Sequence, residues 1–177
     1  MNKYINDFPL LLQKDEKNRR IDYLDNAATT QKPETVLDAV AQFYRTSNAN
    51  PHRGTYDLSI KATEILESAR KNVCEFINAG TENAVIFTKN STEALNIIAQ
   101  SYGSTFLKGG DHVVLAISEH HSNLVPWQIA AKAKGAEISY IYTDNSGIIP
   151  PEEIVKKITA RTKIVAVAYV SNVTGRI

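Results

Sequence analysis

Apolar positions along this chain alternate between two periods. Val36, Leu37, Val40, Phe43 and Tyr44 recur at helical spacing after Pro33, a residue favoured in a first helical turn. Leu58, Ala62, Ile65, Leu66, Ala69, Val73, Phe76 and Ile77 mark a longer amphipathic helix. Residues 84–88 then read as a short strand, and Asn90-Ser91-Thr92-Glu93 opens a helix carrying Ala94, Leu95, Ile97 and Ile98. The pattern continues with a strand over 112–117 and a helix over 124–133 that Gly135-Ala136 ends. A strand over 137–142, a helix over 150–160 and a strongly apolar strand over 164–170 follow. Strands alternating with helices predict an α/β fold, a mostly parallel sheet with helices on both faces. Residues 13–20 are polar and read as a helix or a linker. No internal repeat stands out.

The last residues, Ser171-Asn172-Val173-Thr174-Gly175-Arg176-Ile177, form a loop directly after an apolar strand. A central-type strand normally has a neighbour and a covering helix. The sequence therefore reads as truncated, split or taken from a longer protein, and its last strand as prone to association.

Composition narrows the classes of partner. The chain has 177 residues, 20 lysines and arginines against 19 acidic residues, and a net charge of +1. That balance predicts neither nucleic acid nor a membrane surface as a partner. The single cysteine, Cys74, excludes an intrachain disulfide and fits a reducing compartment. It lies in the long helix, one position off the apolar stripe, and reads as structural rather than nucleophilic. No apolar run approaches a membrane span, and the N-terminus lacks a signal-peptide pattern. The expectation is a cytoplasmic protein.

Four loops carry candidate chemistry. His120 and His121 sit just past the strand over 112–117, at the edge where open α/β sheets bind ligands; two histidines in a solvated loop are the plain alternative. Asn90 is a good N-cap and Glu93 completes something like a capping box, while Ser91 and Thr92 add hydroxyls beside free backbone N–H groups. Such a helix start is either an anion site suited to phosphate or capping alone. Asn172 follows the last strand and either donates to a ligand oxygen or shapes a turn. His52 and Arg53, in Asn50-Pro51-His52-Arg53-Gly54, offer an imidazole and a cation to an anionic substrate or a neighbouring subunit, or are simply exposed. No histidine has partners at zinc-like spacing, so no metal site is expected.

Five motifs occur in order: Tyr23-Leu24-Asp25-Asn26-Ala27-Ala28-Thr29-Thr30, Asn50-Pro51-His52-Arg53-Gly54, Asn90-Ser91-Thr92-Glu93-Ala94-Leu95-Asn96, Glu119-His120-His121-Ser122-Asn123 and Val170-Ser171-Asn172-Val173-Thr174-Gly175. Together they resemble the cysteine desulfurases, within the class V aminotransferases of pyridoxal 5'-phosphate (PLP) fold type I. The wording His120-His121-Ser122-Asn123-Leu124-Val125-Pro126-Trp127 is similar to the Suf-type (group II) members. The resemblance implies an N-terminal segment over residues 1–20 and the first, incomplete part of the PLP-dependent large domain over 21–177. It implies that Thr92 with Ser91 holds the PLP phosphate, and that His120 stacks on the pyridine ring and serves in proton transfer. Asn172 would bind the ring's phenolic oxygen and approach the substrate carboxylate. Ala27 and Ala28 would line the substrate recess, with His52 and Arg53 near the site entrance and subunit interface. The implied reaction converts L-cysteine to L-alanine and leaves a persulfide, supplying sulfur for iron–sulfur cluster assembly through a small acceptor protein, in a homodimer. The family's Schiff-base lysine, its pyridine-pairing aspartate, its sulfur-accepting cysteine and its carboxylate-binding arginine have no matching motifs in these 177 residues, so the chain alone is expected to be inactive. The rival readings are another class V enzyme, such as a selenocysteine lyase or kynureninase-like enzyme, or a truncated non-catalytic binding module.

Overall fold

The computed structural model describes residues 3–177. Backbone contacts divide the chain into two compact units, the first ending at Ile86 and the second running from Phe87 to Ile177.

The first unit opens with two 3-10 turns, Ile5–Asp7 and Pro9–Leu12. The polar stretch 13–20 is neither a helix nor an unstructured linker. It forms a tight turn closed by an antiparallel bridge between Lys14 and Arg20. Asp15 organises it: Oδ1 accepts from the backbone N–H of Lys17 and Arg19, and Oδ2 accepts from the Arg19 guanidinium at 2.8 Å. Helix α1 spans Glu34–Thr46 and α2 spans Asp57–Ile77, as the periodicity predicts. Asn78 ends α2 in the left-handed region at φ 53°, where its N–H reaches the last carbonyls. Cys74 is buried, so it faces inward although the stripe places it one position off. Among the described residues of α1 none is buried, and Val36, Leu37, Val40 and Tyr44 stay exposed.

The expected strand over 84–88 does not form. Glu82–Ala84 is a 3-10 turn and Val85 is extended, but no ladder partner engages 85–88 among the described residues. A strand is completed by its neighbour's hydrogen bonds, which periodicity cannot supply.

The second unit is a three-stranded parallel sheet. Helix α3 (Ser91–Phe106) leads into β1 (His112–Ala116), then α4 (Val125–Lys134), β2 (Glu137–Ile141), α5 (Pro151–Lys157) and β3 (Thr162–Ala166). The strand order is β2-β1-β3, and every residue of the central strand is buried. Val113 and Leu115 pack with Ala99, Leu107, Trp127, Ala131 and Ala166 into one core cluster. Side chains alternate across a strand, so His112, Val114 and Ala116 point to the opposite face. Burying Val113, Val114 and Leu115 contributes roughly 1.5–3 kcal/mol each. The chain steps from β1 to β2 in one direction and from β2 to β3 in the other. Right-handed crossovers then place α4 and α5 on opposite faces.

The last strand is shorter and earlier than the predicted 164–170. It runs Thr162–Ala166, with Lys163 bulged out between the pairs His112↔Thr162 and Val113↔Ile164. Its ladder ends at Leu115↔Ala166 because β1 turns away after Ala116. Residues 167–170 therefore leave the sheet, and Val167, Tyr169 and Val170 are exposed. Among the described residues no helix is long and apolar enough to cross a membrane.

Two predictions follow from this packing. A Cβ on Gly103 would lie 2.8 Å from the Ala130 Cβ on α4. Gly103→Ala gains up to about 1 kcal/mol of helix propensity but costs about 1–3 kcal/mol in overpacking. The variant should unfold at lower denaturant, and adding Ala130→Gly should restore it. At the amino edge, Arg161 Nη2 donates to Glu137 Oε2 at 2.9 Å, linking β2 to the turn before β3. The guanidinium holds the Glu137 carboxyl below its ordinary value of 4.5. The pair's contribution is therefore present above pH 4.5 and lost as pH falls through the lower folded value. In Arg161→Ala, an NMR titration should find the Glu137 carboxyl nearer 4.5; an unchanged midpoint would contradict the pairing.

Candidate functional site

In a sheet ordered β2-β1-β3 the crossovers that leave the carboxyl ends of β1 and β2 go to opposite faces. That parting is where open α/β sheets bind ligands. The loop after β1 carries His120, and the loop after β3 carries Asn172. Helix α3 packs against the 3-10 turn that follows β1 (His121–Asn123). Its first turn therefore lies at the same edge.

The start of α3 is built by its own side chains. Asn90 Oδ1 accepts from the backbone N–H of Glu93 at 2.9 Å, a cap worth about 1 kcal/mol. Glu93 Oε2 accepts from the Lys89 N–H at 2.8 Å, so it reaches one residue beyond the usual capping-box position. The N–H of Glu93 is thus taken. Among the described residues, no protein group engages the hydroxyls or backbone N–H groups of Ser91 and Thr92. Two hydroxyls and two N–H donors at the positive end of a 16-residue helix make an anion-binding donor set.

His120 stands at the head of the next loop in an extended conformation, with its ring exposed. Its Nδ1 accepts from the Ser122 backbone N–H at 3.1 Å and lies 2.7 Å from Ser122 Oγ. An amide N–H can only donate, so Nδ1 carries the lone pair and the neutral ring bears its proton on Nε2. The side chain therefore meets a ligand as a hydrogen-bond donor. His121 begins the 3-10 turn and is exposed. Beneath the loop, Asn123 Nδ2 donates to Glu119 Oε2 at 3.0 Å, and Trp127 Nε1 donates to Asn123 Oδ1 at 3.1 Å. Glu119 Oε1 is buried with no partner among the described residues.

Asn172 lies in the turn closed by the Gly175 N–H on the Ser171 carbonyl at 2.9 Å. Ser171 Oγ accepts from the N–H groups of Val173 and Thr174, and Gly175 takes the left-handed φ of 69° the turn needs. The turn is held by Ser171, so the exposed Asn172 amide is not needed to shape it.

The remaining candidates belong to the first unit. Ala27 and Ala28 lie in an exposed turn at 26–28. The Tyr23 hydroxyl staples it, donating to the Thr29 and Asp25 carbonyls at 2.6 and 3.1 Å. A cavity of about 340 Å³ next to this turn is lined by Tyr23, Asn26 and Thr30 with residues of the N-terminal 3-10 turns, but not by either alanine. His52 takes a left-handed φ of 69°. Its N–H donates to Thr63 Oγ1 at 2.8 Å, and Nε2 lies 3.4 Å from Glu67 Oε1. Arg53 is exposed beside it. The loop hangs on fully buried Ser59, whose hydroxyl donates to the Asn50 carbonyl at 2.7 Å and accepts from the Gly54 N–H at 3.0 Å. A Cβ on Gly54 would meet Ser59 at 2.6 Å, so only glycine fits there.

Ser59, Ser122 and the Glu119–Asn123–Trp127 series escape a reading of motifs one residue at a time. The series does carry a signal, since its members repeat at i, i+4, i+8 into a helix. Ser59 carries none.

Comparison with known proteins identifies the family and the fold. Residues 22–177 match the family model described as aminotransferase class V. A probable cysteine desulfurase of Treponema pallidum is 44% identical over 174 residues, covering 98% of this chain and 42% of that protein. The apo structure of a cysteine desulfurase from Thermococcus onnurineus NA1 superposes with a TM-score of 0.81 at 40% identity, covering 88% of this chain and 38% of the other. The cysteine desulfurase CsdA of Escherichia coli gives 0.73 at 37% identity, over 86% and 38%. The chain spans about two-fifths of the length of the curated relatives it matches.

Proposed function

Since the chain belongs to the aminotransferase class V family, we propose that it forms the first part of the large domain of a PLP-dependent cysteine desulfurase, over residues 21–177. The observation that carries this reading is the uncommitted donor set of Ser91 and Thr92 at the sheet edge that also bears His120 and Asn172. Two hydroxyls and two amide donors suit a phosphate dianion, a flat exposed imidazole suits an aromatic ring, and a free amide suits a phenolic or carboxylate oxygen. Bound there, PLP supplies the electron sink for bond breaking at the amino-bearing carbon of the substrate.

This chain's own residues then have distinct tasks. Ser91 and Thr92 anchor the phosphate. His120 donates from Nε2 and takes part in proton transfer, and Asn172 orients the ring oxygen and the substrate carboxylate. Ala27 and Ala28 leave room for a small substrate, and His52 and Arg53 serve the entrance and the subunit interface. The substrate is L-cysteine, the products L-alanine and a persulfide on a cysteine outside these residues. The context is a Suf-type homodimer in the cytoplasm, which hands sulfur to a small acceptor protein for iron–sulfur cluster assembly. The relatives' names support the substrate, since all three compared above are described as cysteine desulfurases.

The test needs a protein that carries this chain and the rest of the family's length. His120→Ala should lower alanine production on the order of 10²-fold, the usual effect of losing an acid–base group, and His121→Ala far less. Thr92→Ala should weaken PLP retention. Equal losses at His120 and His121, with PLP fully retained in Thr92→Ala, would refute the assignment. The 177-residue chain alone should produce no alanine from cysteine, and borohydride should not fix PLP to one of its lysines. Stoichiometric fixation at a single lysine would show that the chain carries its own covalent PLP site.

A further inference from the structure

We infer that Asn123, held between Glu119 and Trp127, is a positioning residue that sets the protonation tautomer of His120. This rests on the reading of His120 as the ring that meets the ligand. The relay admits one orientation only. An indole N–H can only donate. The Asn123 amide must therefore aim its oxygen at Trp127 and its NH2 at Glu119. Trp127 is 6% exposed and belongs to the core cluster under β1, so the relay is rooted in the buried core of the second unit.

The relay spans the imidazole. Glu119 precedes His120, and Asn123 closes the 3-10 turn behind it, with its own N–H on the His120 carbonyl at 2.9 Å. The Nδ1 contact of His120 depends on that turn, because its donor is the N–H of Ser122 within it. Fixing residues 119 and 123 to the core fixes where the Ser122 N–H points. With Nδ1 engaged, the proton of the neutral ring stays on Nε2, the nitrogen left for a ligand. Asn123 uses one oxygen of the Glu119 carboxylate, and the other is buried without a partner among the described residues, a condition that lowers stability. What the relay needs from residue 119 is one acceptor, which glutamine also provides.

Two-bond 1H–15N correlation spectra of histidine side chains in the 15N-labelled 177-residue chain test this. They would be recorded at about pH 8.5, above the usual imidazole pKa of roughly 6.5. The spectra distinguish a proton on Nε2 from one on Nδ1. His112, whose Nδ1 lies 3.0 Å from Thr162 Oγ1 across β1 and β3, reports whether the sheet is intact. His120 should show the Nε2–H pattern in the parent chain and in Glu119→Gln. In Asn123→Ala and Trp127→Phe it should shift to a mixture of tautomers while the His112 signals hold. A relay that only stabilises the loop would lower the melting temperature and leave the His120 pattern alone. That outcome in Trp127→Phe overturns the proposal. If Asn123→Ala also disturbs His112, Trp127→Phe, which keeps an aromatic ring in the core, decides by itself. The spectra contain no PLP, so a failure of the cofactor reading would leave them as they are.

Discussion

The complete burial of β1 is the constraint on which the second unit depends. Five consecutive residues lie out of water on both faces, and hydrogen-bonded strands flank both sides. A strand in that position must be central, and its neighbours must be reached by crossovers. Because β2 and β3 lie on opposite sides of it, the right-handed rule sends α4 and α5 to opposite faces.

Polar groups near the carboxyl edge of the sheet divide into those that build and those left over. Asn90, Glu93 and Ser171 spend side-chain hydrogen bonds on the backbone, and Ser122 spends its N–H on the His120 ring. Among the described residues, no protein group engages the side chains of Ser91 and Thr92, the Nε2 of His120 or the Asn172 amide. Backbone groups in folded proteins are nearly always paired. At the exposed start of α3, where any helix leaves N–H groups without intrahelical partners, two hydroxyls stand beside them.

The first unit answers to a different interaction. Ser59, a fully buried hydroxyl, carries two bonds to the Asn50–Gly54 backbone. It is satisfied only when that loop folds over it, and Gly54 must then approach within the reach of a methyl group. The left-handed backbone of His52 and its contact with Glu67 follow from this hub. Helices α1 and α2 nonetheless keep large apolar side chains exposed, among them Tyr44 and Phe76. Amphipathic periodicity announces a face to be covered, and it does not say by what.

The sequence determined the helices, the central strand and the loops that carry the chemistry. Each depends on local information: the 3.6-residue period of α1 and α2, the unbroken apolar run of β1, the cap at Asn90, the stop at Gly135. The five motifs also led to the family, since their residue types and order survive without coordinates. Tertiary structure alone decided where the strands begin and end. Residues 84–88 have strand composition but no ladder partner among the described residues, and 167–170 leave the sheet because β1 turns away at Ile117. It alone also decided that Cys74 is buried, that Ser59 holds the His52 loop, and that Ser122 fixes the tautomer of His120. Strand pairing, burial and hydrogen-bond partners are properties of two segments meeting, and a pattern read along one segment does not contain the other.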